Sequence, residues 1–215
     1  MSGSYKNEVV IPIDSIQVNG DLALPEGAKS IVIFAHGSGS SRFSPRNQMV
    51  ASYLQQYGLG TFLFDLLTRE EDMDRQNRFN IELLAKRLLL ATEWLQTQDF
   101  TRGIYYSYFG ASTGAAAALI AASVKPHITA VVSRGGRPDL ALESLASVKA
   151  PVLLIVGSRD TDVIRLNQKA FDLIISEKKL VEVEGATHLF EEPGKMEEVC
   201  RLSADWLGTH ATPVF

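Results

Sequence analysis

The sequence predicts an α/β domain: a mostly parallel central sheet with helices on both faces and no large lid domain. Three observations predict it. Short apolar runs alternate with longer amphipathic stretches, the pattern of buried strands separated by covering helices. The chain has 215 residues, a length that suits one domain. No internal repeat, low-complexity tract or long linker breaks the alternation, so residues 1–215 read as a single domain.

Taken in order, residues 9–13 and 15–24 read as antiparallel strands joined near Asp14. Residues 31–35 and 60–64 read as inner strands. Ile81, Leu84, Leu88, Ala91 and Leu95 then form an apolar stripe at helical spacing. Further strands are expected over 104–109, 128–133, 151–156 and 179–184. Met196, Val199, Cys200, Ser203, Trp206 and Leu207 form a last helical stripe. Tyr105, Tyr106 and Phe109 read as core residues of their strand.

Composition excludes several function classes. A formal charge of -4 gives no pull toward nucleic acid or an acidic membrane surface. The single cysteine, Cys200, cannot form an internal disulfide, which fits a reducing, cytoplasmic compartment. The first eight residues lack the apolar stretch of a signal peptide. Residues 104–124 carry no charge and could span a bilayer by length. They divide into a β-rich half and an Ala-rich helical half, so no membrane association is expected. Four scattered histidines and one cysteine offer no metal-ligand cluster, so neither metal nor cofactor is expected.

In open α/β sheets, chemistry gathers at the carboxyl ends of the strands. After the strand at 104–109 comes Gly110-Ala111-Ser112-Thr113-Gly114, then an Ala-rich helix starting at Ser112. This is a G-x-S-x-G nucleophile elbow in the required strand–turn–helix setting. Its small residues let strand and helix approach around a strained serine. A dinucleotide site would need glycine where Ser112 stands, and a P-loop would need a Lys-Ser or Lys-Thr pair. Both are absent.

A serine hydroxyl needs a base within hydrogen-bond reach. His210 lies in the C-terminal tail, His127 in a surface turn, and His36 ends a strand in a structural role. Only His188 follows the last strand, in Gly185-Ala186-Thr187-His188. The acid is expected after the preceding strand, in Gly157-Ser158-Arg159-Asp160-Thr161-Asp162. Asp160 is chosen there, with Asp162 in reserve and otherwise readable as a helix N-cap. The order Ser112, Asp160, His188 is the nucleophile–acid–base order of this kind of site. An oxyanion would be held by the N–H of Thr113 and by that of Ser38 in His36-Gly37-Ser38-Gly39.

These motifs together resemble the α/β-hydrolase superfamily, and the short, lid-poor form resembles its dienelactone hydrolase-related branch. The elbow and Ser133-Arg134-Gly135-Gly136-Arg137-Pro138 are similar to uncharacterised hydrolase-like proteins, some of them fused to phosphoribosyltransferase domains. The resemblance implies an α/β-hydrolase fold and hydrolysis of a carboxylic ester or related acyl bond. Dienelactone hydrolase itself uses a cysteine nucleophile where this chain has Ser112, so its substrate is not implied.

Arginines crowd the loops after the strands: Arg42, Arg46, Arg69, Arg75, Arg78, Arg134 and Arg137. Arg134 with Arg42 or Arg46 is expected to bind an anionic group of a small-molecule substrate, a task suited to a guanidinium. The competing reading pairs these arginines with nearby Asp65, Glu70, Glu71, Asp72 and Asp74, or leaves them facing water. Residues 66–78 are the only lid candidate, and their charges predict an open, solvated loop. A slow-turnover ligand sensor and an acyltransferase stay open beside the hydrolase, and no oligomeric state is readable.

Overall fold

The computed structural model describes residues 4–212; Met1 to Gly3, part of the segment read for a signal peptide, lie outside them. The chain opens with the antiparallel hairpin β1 (Tyr5–Ile13) and β2 (Ile16–Leu24), turned at Asp14 with φ of 51°. Then come β3 (Ser30–Ala35), α1 (Pro45–Gln56), β4 (Gly60–Phe64), two short helices α2 (Arg69–Met73) and α3 (Arg75–Phe79), and the long α4 (Ile81–Thr97). The second half runs β5 (Tyr105–Ala111), α5 (Thr113–Val124), β6 (Ile128–Arg134), α6 (Leu142–Leu145), β7 (Val152–Gly157), α7 (Thr161–Leu173), β8 (Lys178–Val183) and α8 (Lys195–Thr209).

The strands form one eight-stranded sheet in the order β1-β2-β4-β3-β5-β6-β7-β8. The β1–β2 and β2–β4 pairs are antiparallel, and the rest are parallel. Strand periodicity explains the two-sided core. Ile31, Ile33, Tyr106, Tyr108, Val152 and Leu154 face α4, α5 and α7. Val32, Phe34, Phe109, Leu153 and Ile155 face α1 and α8. Helix α5 is apolar all round and buried along nearly its whole length, as such a helix must be. Its alanines let it lie close to β5 and so fix the elbow between them.

The strands extend one or two residues past several expected ends, and two of these extensions matter. β5 continues through Gly110 and Ala111 to the elbow, and β6 continues through Arg134, which is therefore a buried strand residue. The uncharged stretch 104–124 forms β5 and α5, and no helix among the described residues is long and apolar enough to cross a membrane.

Residues 66–78 are not an open loop. Thr68 caps α2 in a capping box with Glu71, and Glu71 pairs with the buried Arg87 at 2.6 Å. Arg78 grips Asp72 through Nε and Nη2, both at 2.9 Å. Leu66 and Leu67 are buried beneath them. Glu71, Asp72 and Arg78 there serve ion pairing, while Arg69, Glu70, Asp74 and Arg75 face solvent.

Candidate active site

The elbow begins with steric necessity. A Cβ on Gly110 would overlap the backbone of Ala115, and one on Gly114 would overlap the carbonyls of Ala35 and His36. With glycine at both places, β5 turns sharply into α5. Ser112 sits at the turn as the N-cap rather than the first residue of the helix, with φ of 50° and ψ of -120°. An L-residue adopts such angles only when its surroundings over-determine them. Three hydrogen bonds do so: Ser112 N–H donates to Arg134 O at 3.2 Å, and Ser112 O accepts from Ala115 N–H and Arg137 N–H, both at 3.1 Å.

A third glycine brings the loops of His188 and Asp160 together. A Cβ on Gly157 would overlap the Ala186 carbonyl, so only glycine lets the loop after β7 lie against the loop after β8. Arg159 N–H then donates to Ala186 O at 2.9 Å. Asp160 is the N-cap of α7 by backbone position, yet its carboxylate makes no capping bond. It reaches His188 Nδ1 instead, with Oδ2 at 2.6 Å. The loop carrying His188 is held by Glu192, whose carboxylate accepts Thr187 N–H at 3.1 and 3.2 Å. That hydrogen bond holds the Glu192 carboxyl below its usual range. Asp162 is exposed, lies in the first turn of α7 and among the described residues pairs only with Arg165 at 3.5 Å, so it is neither the cap nor the acid beside His188.

Ser112 and His188 line one pocket of about 230 Å³, together with Gly37, Arg46, Asn47 and Arg134. Among the described residues no hydrogen bond joins Ser112 to His188, and His188 Nε2 has no protein partner. Apo sites often hold such pairs loosely.

The oxyanion expectation needs a correction. Ser38 N–H is not free: it donates to Thr113 Oγ1 at 2.9 Å, because the first side chain of α5 faces the loop after β3. His36 has the structural role expected of it. Its Nδ1 contacts Gly37 O at 3.0 Å and its Nε2 accepts Leu66 N–H at 3.1 Å, which assigns the proton to Nδ1. Burial holds its pKa below the usual imidazole value. His127 is exposed, whereas His210 is not in a free tail: it ends α8, buried, with Nδ1 at 2.8 Å from Trp206 O.

The three expected anion-binding arginines separate. Arg42 is consumed by Glu8 at 2.7 Å, Asp65 at 3.1 Å and Asp21 at 3.3 Å, so it ties the loop after β3 to the β1–β2 hairpin and is unavailable to a ligand. Arg46 lines the pocket and pairs with Glu191 at 3.0 Å. Arg137 pairs with its neighbour Asp139 at 2.8 Å. Arg134 is buried at 5% exposure without any carboxylate in ion-pair range among the described residues. Its Nη2 donates to Asn47 Oδ1 at 3.3 Å, and its Nε has no partner. Burial, and after it the charge of Arg46, pushes its pKa down to about 10.

Asn47 and Glu192 escaped the sequence reading. Their partners lie on other elements or depend on a loop conformation, and only a buried amide on α1 would have flagged the first. No group of three His, Cys, Asp or Glu side chains converges to hold a metal ion among the described residues.

The dienelactone hydrolase family model matches residues 18–205. A dienelactone hydrolase from Anabaena variabilis superposes with a TM-score of 0.95 at 48% identity, covering 97% of this chain and 99% of that one. Est1E from Butyrivibrio proteoclasticus shares the α/β-hydrolase fold, with a TM-score of 0.81 at 16% identity over 94% of this chain and 98% of its own. Two Mycobacterium tuberculosis proteins named as phosphoribosyl transferases are 55% identical over 204 residues, 94% of this chain and 46% of theirs. The chain thus spans about half the length of the curated relatives it matches.

Proposed function

The chain belongs to the dienelactone hydrolase family, and from that premise we propose that it is a serine hydrolase cleaving a carboxylic ester of a small, anionic substrate. The observation that carries the reading is the 2.6 Å contact between Asp160 Oδ2 and His188 Nδ1, with His188 lining the same pocket as the strained Ser112. An Nδ1–H held by a carboxylate leaves Nε2 as the base, the arrangement that activates a serine hydroxyl.

In the proposed mechanism Nε2 takes the Ser112 proton as Oγ bonds to the ester carbonyl carbon. The imidazolium, stabilised by Asp160, then protonates the departing alcohol. Water, deprotonated by the same nitrogen, attacks the acyl-enzyme, and the carboxylic acid leaves as Ser112 recovers its proton. Thr113 N–H, at the start of α5, holds the oxyanion, joined by Ser38 N–H once Thr113 Oγ1 releases it. Arg134, buried and without a counter-ion, is the group best suited to hold the substrate's anion, with Arg46 beside it. The phosphoribosyl transferase name of the curated relatives belongs to proteins about twice this length, and the acyl-transfer geometry here favours the hydrolase for the shared part.

The test is labelling with a fluorophosphonate, mapped by mass spectrometry, with burst kinetics on a short aryl ester. Label on Ser112, and a drop in kcat on the order of 10⁶ in Ser112→Ala, is the expected result. Folded protein that takes no label at Ser112 overturns it.

A further inference from the structure

Asn167 lies fully buried on α7. Its amide nitrogen donates to Gly136 O at 3.0 Å and to Val163 O at 2.8 Å, while its Oδ1 is buried with no partner. A buried, unsatisfied acceptor is costly, so its presence in a helix-facing core calls for a reason.

The reason lies in what it holds. Gly136 belongs to the turn 134–137, whose two ends grip Ser112: Arg134 O accepts the Ser112 N–H and Arg137 N–H donates to Ser112 O. The turn contains two adjacent glycines, the least constrained residues available. Gly135, at φ of 51°, is also where His188 packs, since a Cβ there would stand 3.1 Å from His188 O and 3.5 Å from its Cε1. So small a turn needs anchors. Gly135 N–H donates to Ile155 O at 2.8 Å on one side, and Asn167 supplies the other. The helix that carries Asn167 has Asp160 as its N-cap residue, so one rigid element meets the acid at its N-terminal end and the serine's clamp two turns later.

We infer that Asn167 is a positioning residue: it locks the turn 134–137 and thereby keeps Ser112 in register with the Asp160–His188 pair. This rests on Ser112 being the nucleophile. The unpaired Oδ1 is the stability cost of placing an amide donor under Gly136, and small displacements of a reacting group are expensive in rate.

The test uses Asn167→Leu, which fills the site without donors, and Asn167→Ala, which empties it. Rates are measured per active site titrated by the aryl-ester burst. Both kcat and the rate of fluorophosphonate labelling at Ser112 fall about 10- to 100-fold, KM stays within about twofold, and the pH midpoint of kcat/KM is unmoved because the acid–base pair is untouched. Folded variants whose labelling rate and kcat per titrated site match the parent within about twofold overturn the inference. Should both variants unfold, the parent protein decides: the Asn167 side-chain amide resonances shift when Ser112 is covalently loaded, and unmoved resonances overturn the inference. A parent protein that takes no label at Ser112 overturns the nucleophile reading instead, which separates the two failures.

Discussion

Asp160 occupies the N-cap of α7 but gives its carboxylate to His188, at 2.6 Å, rather than to the helix N–H groups above it. Substituting Asp160→Asn would keep the shape but turn an amide N–H donor toward Nδ1, which then accepts and leaves the ring proton on Nε2, where the base should be free. We expect kcat to fall by about 10⁴, the scale seen when this change leaves the wrong tautomer in a serine protease. Asp162→Asn, two residues on and exposed, is expected to change kcat by less than about twofold, since surface substitutions away from a site have small effects. Equal losses in the two variants would sink the assignment of the acid.

Arg134 is expected to set substrate charge preference. In Arg134→Met the guanidinium leaves an apolar side chain of similar length in a buried place. No carboxylate among the described residues is orphaned by its removal, so stability should hold or rise. KM for an anionic ester should increase tenfold or more, an effect of about 1.4 kcal/mol or larger, while a neutral ester of the same size is little affected. Arg42→Met behaves differently: it strands Glu8, Asp21 and Asp65 and should cost on the order of 1–3 kcal/mol of stability in urea unfolding. Similar loss on anionic and neutral esters in Arg134→Met would remove the anion site.

Thr113→Val tests the second oxyanion donor. In the resting protein Ser38 N–H is satisfied by Thr113 Oγ1. Without that oxygen the N–H gains a partner only when the oxyanion forms, and an interaction made only in the transition state raises kcat. We expect kcat to rise severalfold, by about the 1 kcal/mol of a net hydrogen bond, with a similar loss of stability. A fall in kcat at unchanged fold would mean that the Thr113 hydroxyl serves the reaction directly.

Much of this was legible in the sequence where the signal is local. The parallel strands were found because buried strands read as short apolar runs, and the elbow because Gly110 and Gly114 flank Ser112 at a strand–helix turn. The loops bearing Asp160 and His188 followed from strand order. Readings failed where charge was read by neighbourhood instead of by partner. The capping-box pattern of Thr68 and Glu71 was present in the sequence, but the surrounding charges hid α2. Arg42 pairs with Asp65, one of the carboxylates that the competing reading offers, but its other partners, Glu8 on β1 and Asp21 on β2, lie 34 and 21 residues away and nothing local announces them. Asn47 and Asn167 look like ordinary helix residues until packing buries them. The bond from Ser38 N–H to Thr113 Oγ1 depends on a side-chain rotamer on α5, which no sequence displays.

His36 makes acid stability measurable. Its Nε2 accepts Leu66 N–H, so a second ring proton would set donor against donor in a buried place. Burial is the main reason its pKa lies below 6.5, with the Gly37 carbonyl, Asp65 and Asp72 opposing it only in part. The sign follows directly. Below about pH 6.5 the unfolded chain binds a proton at this histidine that the folded chain refuses, so its contribution is complete above that pH and is lost as pH falls toward the folded value. The slope from one such group is at most about 1.4 kcal/mol per pH unit. Urea midpoints measured from pH 8 to pH 5 should therefore decline below about pH 6.5 in the parent protein. His36→Gln, whose amide oxygen can still accept from Leu66, should show a shallower decline from a lower plateau. The exposed His127 provides the control, and His127→Gln should track the parent. A parent profile that stays flat to pH 5, or one that His36→Gln leaves unchanged in slope, would show that the buried imidazole is protonated in the folded state. The loop after β3, which begins at His36 and carries Ser38, would then not be the part of the site that acid loosens first.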